Sequence, residues 1–209
     1  MCIRDRFTDA FYRSCTVSAA QAAQDLGIQL SYNQTLRLAE RSEQEYGYSM
    51  HGYVTEHGIS YADLHFPYHK NIDESVIQPL ENLSQYLGLL NIPQIILTNA
   101  SRCWAERVLQ FIGIGHIFDS KKIIPMEDVD FEPKSSSEKG FRKAIDLLNL
   151  NPANIIMVED LDRNLITAKK IGLQTAYIYY KNPIKNLPSY IDYQYKDSLH
   201  LIKDLFSRA

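Results

Sequence analysis

The stretch IIMVEDLDRNLITAKKIGL, Ile155 to Leu173, constrains the fold of this chain more than any other. Ile155 to Val158 is a continuous apolar run, as expected of a parallel strand covered by helices on both faces. It stops abruptly at Glu159 and Asp160, after which Leu161, Leu165, Ala168 and Gly172 recur at helical spacing. In open α/β sheets, ligands bind outside the carboxyl ends of the strands. Two adjacent carboxylates at such an end suit a hard cation such as Mg²⁺. A competing assignment stays open at this point, in which Asp160 or Asp162 caps the helix that starts near Arg163.

The rest of the chain divides by texture. From Thr8 to about Gly88 the signals are helical: Phe11, Cys15, Ala19, Ala22 and Leu26 recur on one face and Gly27 follows as a stop. A second helix is predicted over Asn33 to Tyr46, and a third stripe at Val76, Leu80, Leu83 and Leu87. Between them lies a Tyr- and His-rich segment, Tyr46 to His69, whose side chains carry apolar bodies and polar tips. Packing is the expected role there, since no His spacing on one convincing helix suggests a metal.

From Ile92 strand and helix alternate. Pro93 to Leu97, Lys122 to Ile124, Ile155 to Val158 and Thr175 to Tyr179 read as strands. Helical faces lie between them at Ala105, Val108, Leu109 and Ile112, and at Phe141, Ala144, Ile145 and Leu148. Such repeats imply an α/β fold, a parallel sheet with right-handed crossovers and helices on both faces. After Pro183 the tail reads as loop and a final helix, Leu199 to Phe206.

Charge and cysteine content narrow the function classes. A net charge of −3 and a pI near 6.1 give no electrostatic reason to expect nucleic acid or an acidic membrane as partner. Three widely spaced cysteines, Cys2, Cys15 and Cys103, form no CxxC pair, which argues against a disulfide framework or zinc site and fits a reducing cytoplasm.

Three strand ends carry polar residues in a telling order. Leu97-Thr98-Asn99-Ala100-Ser101 places a hydroxyl and an amide before a helix N-terminus, suited to an anion, although Asn99 or Ser101 serves equally as an N-cap. Lys134 lies in a loop before the next helix; a lone loop lysine is usually solvated, and the alternative is a fixed positive charge for a phosphate. Glu159 and Asp160 then supply the metal site. Hydroxyl, cation and metal site in one sheet favour phosphoryl chemistry.

With these residues the chain resembles the haloacid dehalogenase superfamily of aspartate-nucleophile hydrolases, in its helical-cap phosphatase form. LTNAS (97–101) resembles the second motif, EPKSSSEKGFRKAI (132–145) the third and VEDLDRN (158–164) the fourth. The resemblance implies a Rossmann-like core over 89–209 and a helical cap over 8–88 that closes over the substrate. It implies that Thr98 and Asn99 bind the phosphoryl group and that Lys134 neutralises charge. Asp160 then holds Mg²⁺, Glu159 is a second ligand and Asn164 supports them. The implied activity is hydrolysis of a small phosphorylated metabolite through a phosphoaspartate.

The family's first motif, a buried strand ending in DxDxT, has no counterpart among the early residues. Asp5 and Asp9 lack both the preceding strand and the spacing, and Asp9 fits the start of the first cap helix. Residues 1–7 read as a non-native leader, the central first strand is expected to be missing, and no nucleophile is assigned. The chain is then an inactive fragment of a phosphatase; the alternatives are a non-catalytic phosphate- and metal-binding module or a haloacid dehalogenase. Resequencing upstream of Thr8 separates these, because a complete natural gene beginning at MCIRDR contradicts a lost strand.

Overall fold

The computed structural model describes residues 9–46, 48–77, 79–179 and 182–208. The leader assigned to residues 1–7 lies outside them. The described residues fall into two compact units, a helical one up to Ile77 and an α/β one after it.

The helical unit holds α1 (Asp9–Asp25), α2 (Tyr32–Tyr46), α3 (His51–Thr55) and α4 (Tyr61–Lys70). α1 begins at Asp9 and packs against α2 and α4, with Phe11, Cys15, Ala19 and Ala22 buried. Gly27 ends it at φ +81°: Ile28 N–H donates to the Ala23 carbonyl and Gly27 N–H to that of Gln24, closing the last turn as a left-handed residue allows. Ser31 precedes α2, and Gln34 reaches back to accept from its N–H at 2.9 Å.

The Tyr- and His-rich segment folds as α3 and α4, two helices that apolar periodicity did not reveal. α3 lies so close to α2 that a Cβ on Gly52 would stand 2.4 Å from Leu38 Cδ1. Ser42 Oγ accepts from Gly52 N–H at 3.0 Å across this contact. Tyr53 is fully buried and donates to the Thr35 carbonyl at 2.8 Å.

On α4 the buried rings of His65 and His69 meet edge to face, centroids 4.5 Å apart. Burial, with His65 beside it, pushes His69 from 6.5 down to about 3, so it folds neutral. Below the unfolded value the unfolded chain takes up a proton that the folded chain refuses. Stability is therefore complete above roughly pH 6.5 and is lost progressively as pH falls towards about 3. Urea unfolding of the helical unit followed across that window is expected to show this slope, and His69→Gln should flatten it.

The α/β unit comprises α5 (Leu83–Leu89), β1 (Ile96–Leu97), α6 (Arg102–Phe111), β2 (Ile123–Ile124), α7 (Lys139–Leu148), β3 (Ile156–Glu159), α8 (Asp162–Lys170), β4 (Gln174–Ile178), β5 (Tyr193–Tyr195) and α9 (Ser198–Arg208). α5 is shorter than the predicted stripe: Val76 sits in a separate single turn and Asn82 takes a left-handed φ of 62° that interrupts any continuous helix.

β1 pairs in parallel with β2, Ile96 opposite Ile123, and β3, β4 and β5 form a second parallel group in that order. Among the described residues, β1 and β3 each pair on one side only. The burial of β3 alternates, with Met157 and Glu159 buried and Ile156 and Val158 half-buried, rather than being complete on both faces as its composition suggested. β5 was not predicted, because Tyr193-Gln194-Tyr195 is half-buried throughout and carries no apolar run. One apolar cluster joins the groups: Leu97 and Ile124 from one, Met157 from the other, and Phe141, Ala144, Leu165 and Ala168 from α7 and α8. Among the described residues no helix is long and apolar enough to cross a membrane.

Candidate functional site

Each of the three polar strand ends is shaped by its local backbone. β1 ends at Leu97, and Thr98 N–H continues the pairing by donating to the Ile124 carbonyl at 3.0 Å. Thr98 Oγ accepts from Ala100 N–H at 3.1 Å, which leaves the hydroxyl proton to donate. Ser101 is the N-cap of α6, accepting from Trp104 N–H. Asn99 is not a cap: its Oδ1 accepts from the Lys134 backbone N–H at 3.1 Å, 35 positions along the chain.

Lys134 is therefore held at its backbone by the end of β1, while its side chain joins that end to the end of β3. Its Nζ donates to the Leu97 carbonyl at 3.3 Å and forms an ion pair with Glu159 at the end of β3. The pair is buried, with side chains 12 % and 6 % exposed. The other carboxylate oxygen of Glu159 accepts from Asp160 N–H at 3.0 Å and Leu161 N–H at 3.3 Å. Burial opposes ionisation of Glu159, yet the Lys134 ammonium and the hydrogen bonds from Asp160 outweigh it and hold the carboxyl well below the usual range.

Glu159 and Asp160 thus face different tasks despite being neighbours. Alternation along β3 turns Glu159 inward with Met157, where it is saturated by Lys134 and two amides. Asp160, half-buried, follows the last strand residue. Neither Asp160 nor Asp162 is the N-cap of α8; that position is Leu161, which offers no side-chain acceptor. Asn164 is buried in the first turn of α8.

Among the described residues no three His, Cys, Asp or Glu side chains form a metal cage. A cage is not required for a hard divalent ion, which is commonly held by one or two carboxylates and completes its shell with water and substrate oxygens. Asp160, half-buried just past the end of β3, offers carboxylate oxygens of the hard type that such an ion takes.

Comparison with known proteins bears on the fold and the family. Among solved structures, a predicted phosphatase from Clostridium acetobutylicum superposes with a TM-score of 0.61 at 16% identity, covering 95% of this chain and 93% of that one. A conserved haloacid dehalogenase-like protein of unknown function from Agrobacterium tumefaciens gives 0.56 at 16% identity, with 93% of each chain covered. An L-2-haloacid dehalogenase gives 0.54 at 17% identity, with 93% of each covered. These identities speak for the fold alone. No curated protein is matched in sequence. The sequence itself matches the haloacid dehalogenase-like hydrolase family over residues 9–172, well over half its length, and the chain belongs to that family.

Proposed function

We propose that this hydrolase-family chain binds the phosphoryl group of a small phosphorylated metabolite in a Mg²⁺-dependent manner, at the site built by Thr98, Lys134 and Asp160. The reading is supported above all by Lys134, whose ammonium lies within hydrogen-bonding reach of both the Leu97 carbonyl and the Glu159 carboxylate. Thr98 and Lys134 donate to phosphoryl oxygens, and Asn99, whose oxygen fixes the Lys134 backbone, keeps its amide N–H groups to donate beside them. Asp160 is the ligand for Mg²⁺, which supplies charge neutralisation when bound. Glu159 orients Lys134, and Asn164 supports the Asp160 turn. The helical unit is the cap expected of this family type.

A phosphoaspartate is the covalent intermediate that this kinship suggests, and DxDxT is absent from the 209 residues. Binding without turnover is therefore the expected behaviour. Titration calorimetry with inorganic phosphate and a panel of phosphorylated metabolites, with and without Mg²⁺, tests this. Affinity is expected to rise at least tenfold with Mg²⁺, about 1.4 kcal/mol. Asp160→Asn should abolish that gain without changing the thermal midpoint. Phosphate affinity indifferent to both Mg²⁺ and Asp160 would sink the proposal, and chloride release from 2-haloacids would replace it with the dehalogenase alternative.

A further inference from the structure

The loop that delivers Lys134 is strained. Asp130 and Phe131 take consecutive left-handed conformations, φ 54° and 59°, a region that Asp tolerates but that a bulky side chain such as Phe131 rarely adopts. Such conformations persist only where the surroundings enforce them. On the near side, Phe131 N–H donates to the Met126 carbonyl at 3.0 Å and Glu132 N–H to that of Val129 at 3.1 Å. On the far side stands Lys139, the first residue of α7. Its Nζ bridges Asp130 Oδ2 at 2.8 Å and Glu132 Oε1 at 2.6 Å, and so grips the chain on either side of Phe131. Ser137 extends the ring, donating to Glu132 and accepting from Lys139 N–H. The Lys139 hydrogen bond also holds the Asp130 carboxyl below its ordinary range.

The anchor for this grip is rigid. The next residue, Gly140, lies so close to β1 that a Cβ there would stand 2.8 Å from Leu97 Cδ1. Leu97 is also the residue whose carbonyl accepts from Lys134 Nζ. Exposed ion pairs taken singly contribute little, but a network with both ends tied to fixed backbone is the exception.

We propose that Lys139 is a positioning residue, whose double ion pair to Asp130 and Glu132 holds the strained bend and thereby sets the reach of Lys134. Its functional value rests on the phosphoryl-binding role proposed for Lys134; its structural action does not.

The test is amide hydrogen exchange at Lys134 N–H, read beside phosphate affinity in the full chain. Lys139→Met should accelerate exchange at Lys134 about three- to tenfold and weaken inorganic phosphate by a similar factor, with the thermal midpoint unchanged. Lys139→Arg should preserve both. In the unmodified protein, about 1 M NaCl should move exchange towards the methionine value, because exposed pairs are screened. Unchanged exchange in Lys139→Met, or arginine behaving like methionine, overturns the proposal. Accelerated exchange in a protein that binds no phosphate upholds the positioning role and refutes the phosphoryl reading instead.

Discussion

Lys134→Met is expected to destabilise the α/β unit by roughly 3–5 kcal/mol near neutral pH, because it strands the buried Glu159 carboxylate without its counter-charge. The pH dependence should also change sign. With Lys134 present, the Glu159 carboxyl is held below its ordinary value. The pair then contributes stability above the unfolded-state value of about 4.3, which is lost as pH falls through the lower folded value. Without Lys134, burial, the largest influence on this carboxyl, is opposed only by the hydrogen bonds from Asp160 and Leu161, and the folded value is expected to rise above the ordinary one. The variant is then most stable when Glu159 is protonated and weakens as pH rises. Urea midpoints at about pH 5 and about pH 8 check this. Lys134→Met/Glu159→Gln should recover most of the loss, since removing both charges leaves neither unpaired. Equal midpoints for the wild type and Lys134→Met at the higher pH would refute the buried pair. Phosphate affinity should fall by about ten- to a hundredfold in either variant, as expected for one charge-assisted hydrogen bond.

Phe141→Ala carries a comparable thermodynamic penalty with a different origin. The ring is fully buried on α7 in the cluster that includes Leu97 and Ile124 from one strand group and Met157 from the other. Truncation removes its transfer energy and leaves a cavity that rigid neighbours only partly close, about 3–5 kcal/mol in total. Calorimetry of the α/β unit should show the midpoint lowered by roughly 10–20 °C. Phe111→Ala, on the exposed side of α6, provides the contrast: that ring is 41% exposed, and its loss should fall within about 0.5 kcal/mol. A small shift for Phe141→Ala would mean that the two strand groups do not depend on this contact.

The parts legible in the sequence were those where one physical signal dominates. α1 and α6 show because apolar residues recur at helical spacing beside polar ones, and Phe11, Cys15, Ala105 and Val108 are buried as that pattern requires. α3 and α4 were hidden because Tyr and His present both apolar bodies and polar tips, and because α4 runs through Pro67, a residue that normally signals a helix end. β5 was hidden because strand pairing, not composition, makes it a strand.

At the site, the order of Thr98, Lys134 and Asp160 was readable, but the division of labour between neighbours was not. The two-residue period of a strand sends Glu159 the way of Met157, and its ion pair with Lys134 could not be read from the adjacency of Glu159 and Asp160. The use of the Asn99 oxygen to hold the Lys134 backbone, 35 positions along the chain, was not readable either. No sequence signal spans those 35 positions.

A donor census at the strand ends bears on selectivity. An ammonium group has three protons, and Lys134 commits two of them, to Leu97 and to Glu159. Thr98 retains one. Lys134 and Thr98 between them therefore present two directed protons to an incoming anion, while a phosphate monoester displays three terminal oxygens. The unmatched oxygen must be taken by something other than these two residues. A planar carboxylate has only two oxygens to satisfy, so discrimination between the two shapes falls to donors beyond Thr98 and Lys134, and the Asn99 amide nitrogen, on the group whose oxygen already holds the Lys134 backbone, is one of them.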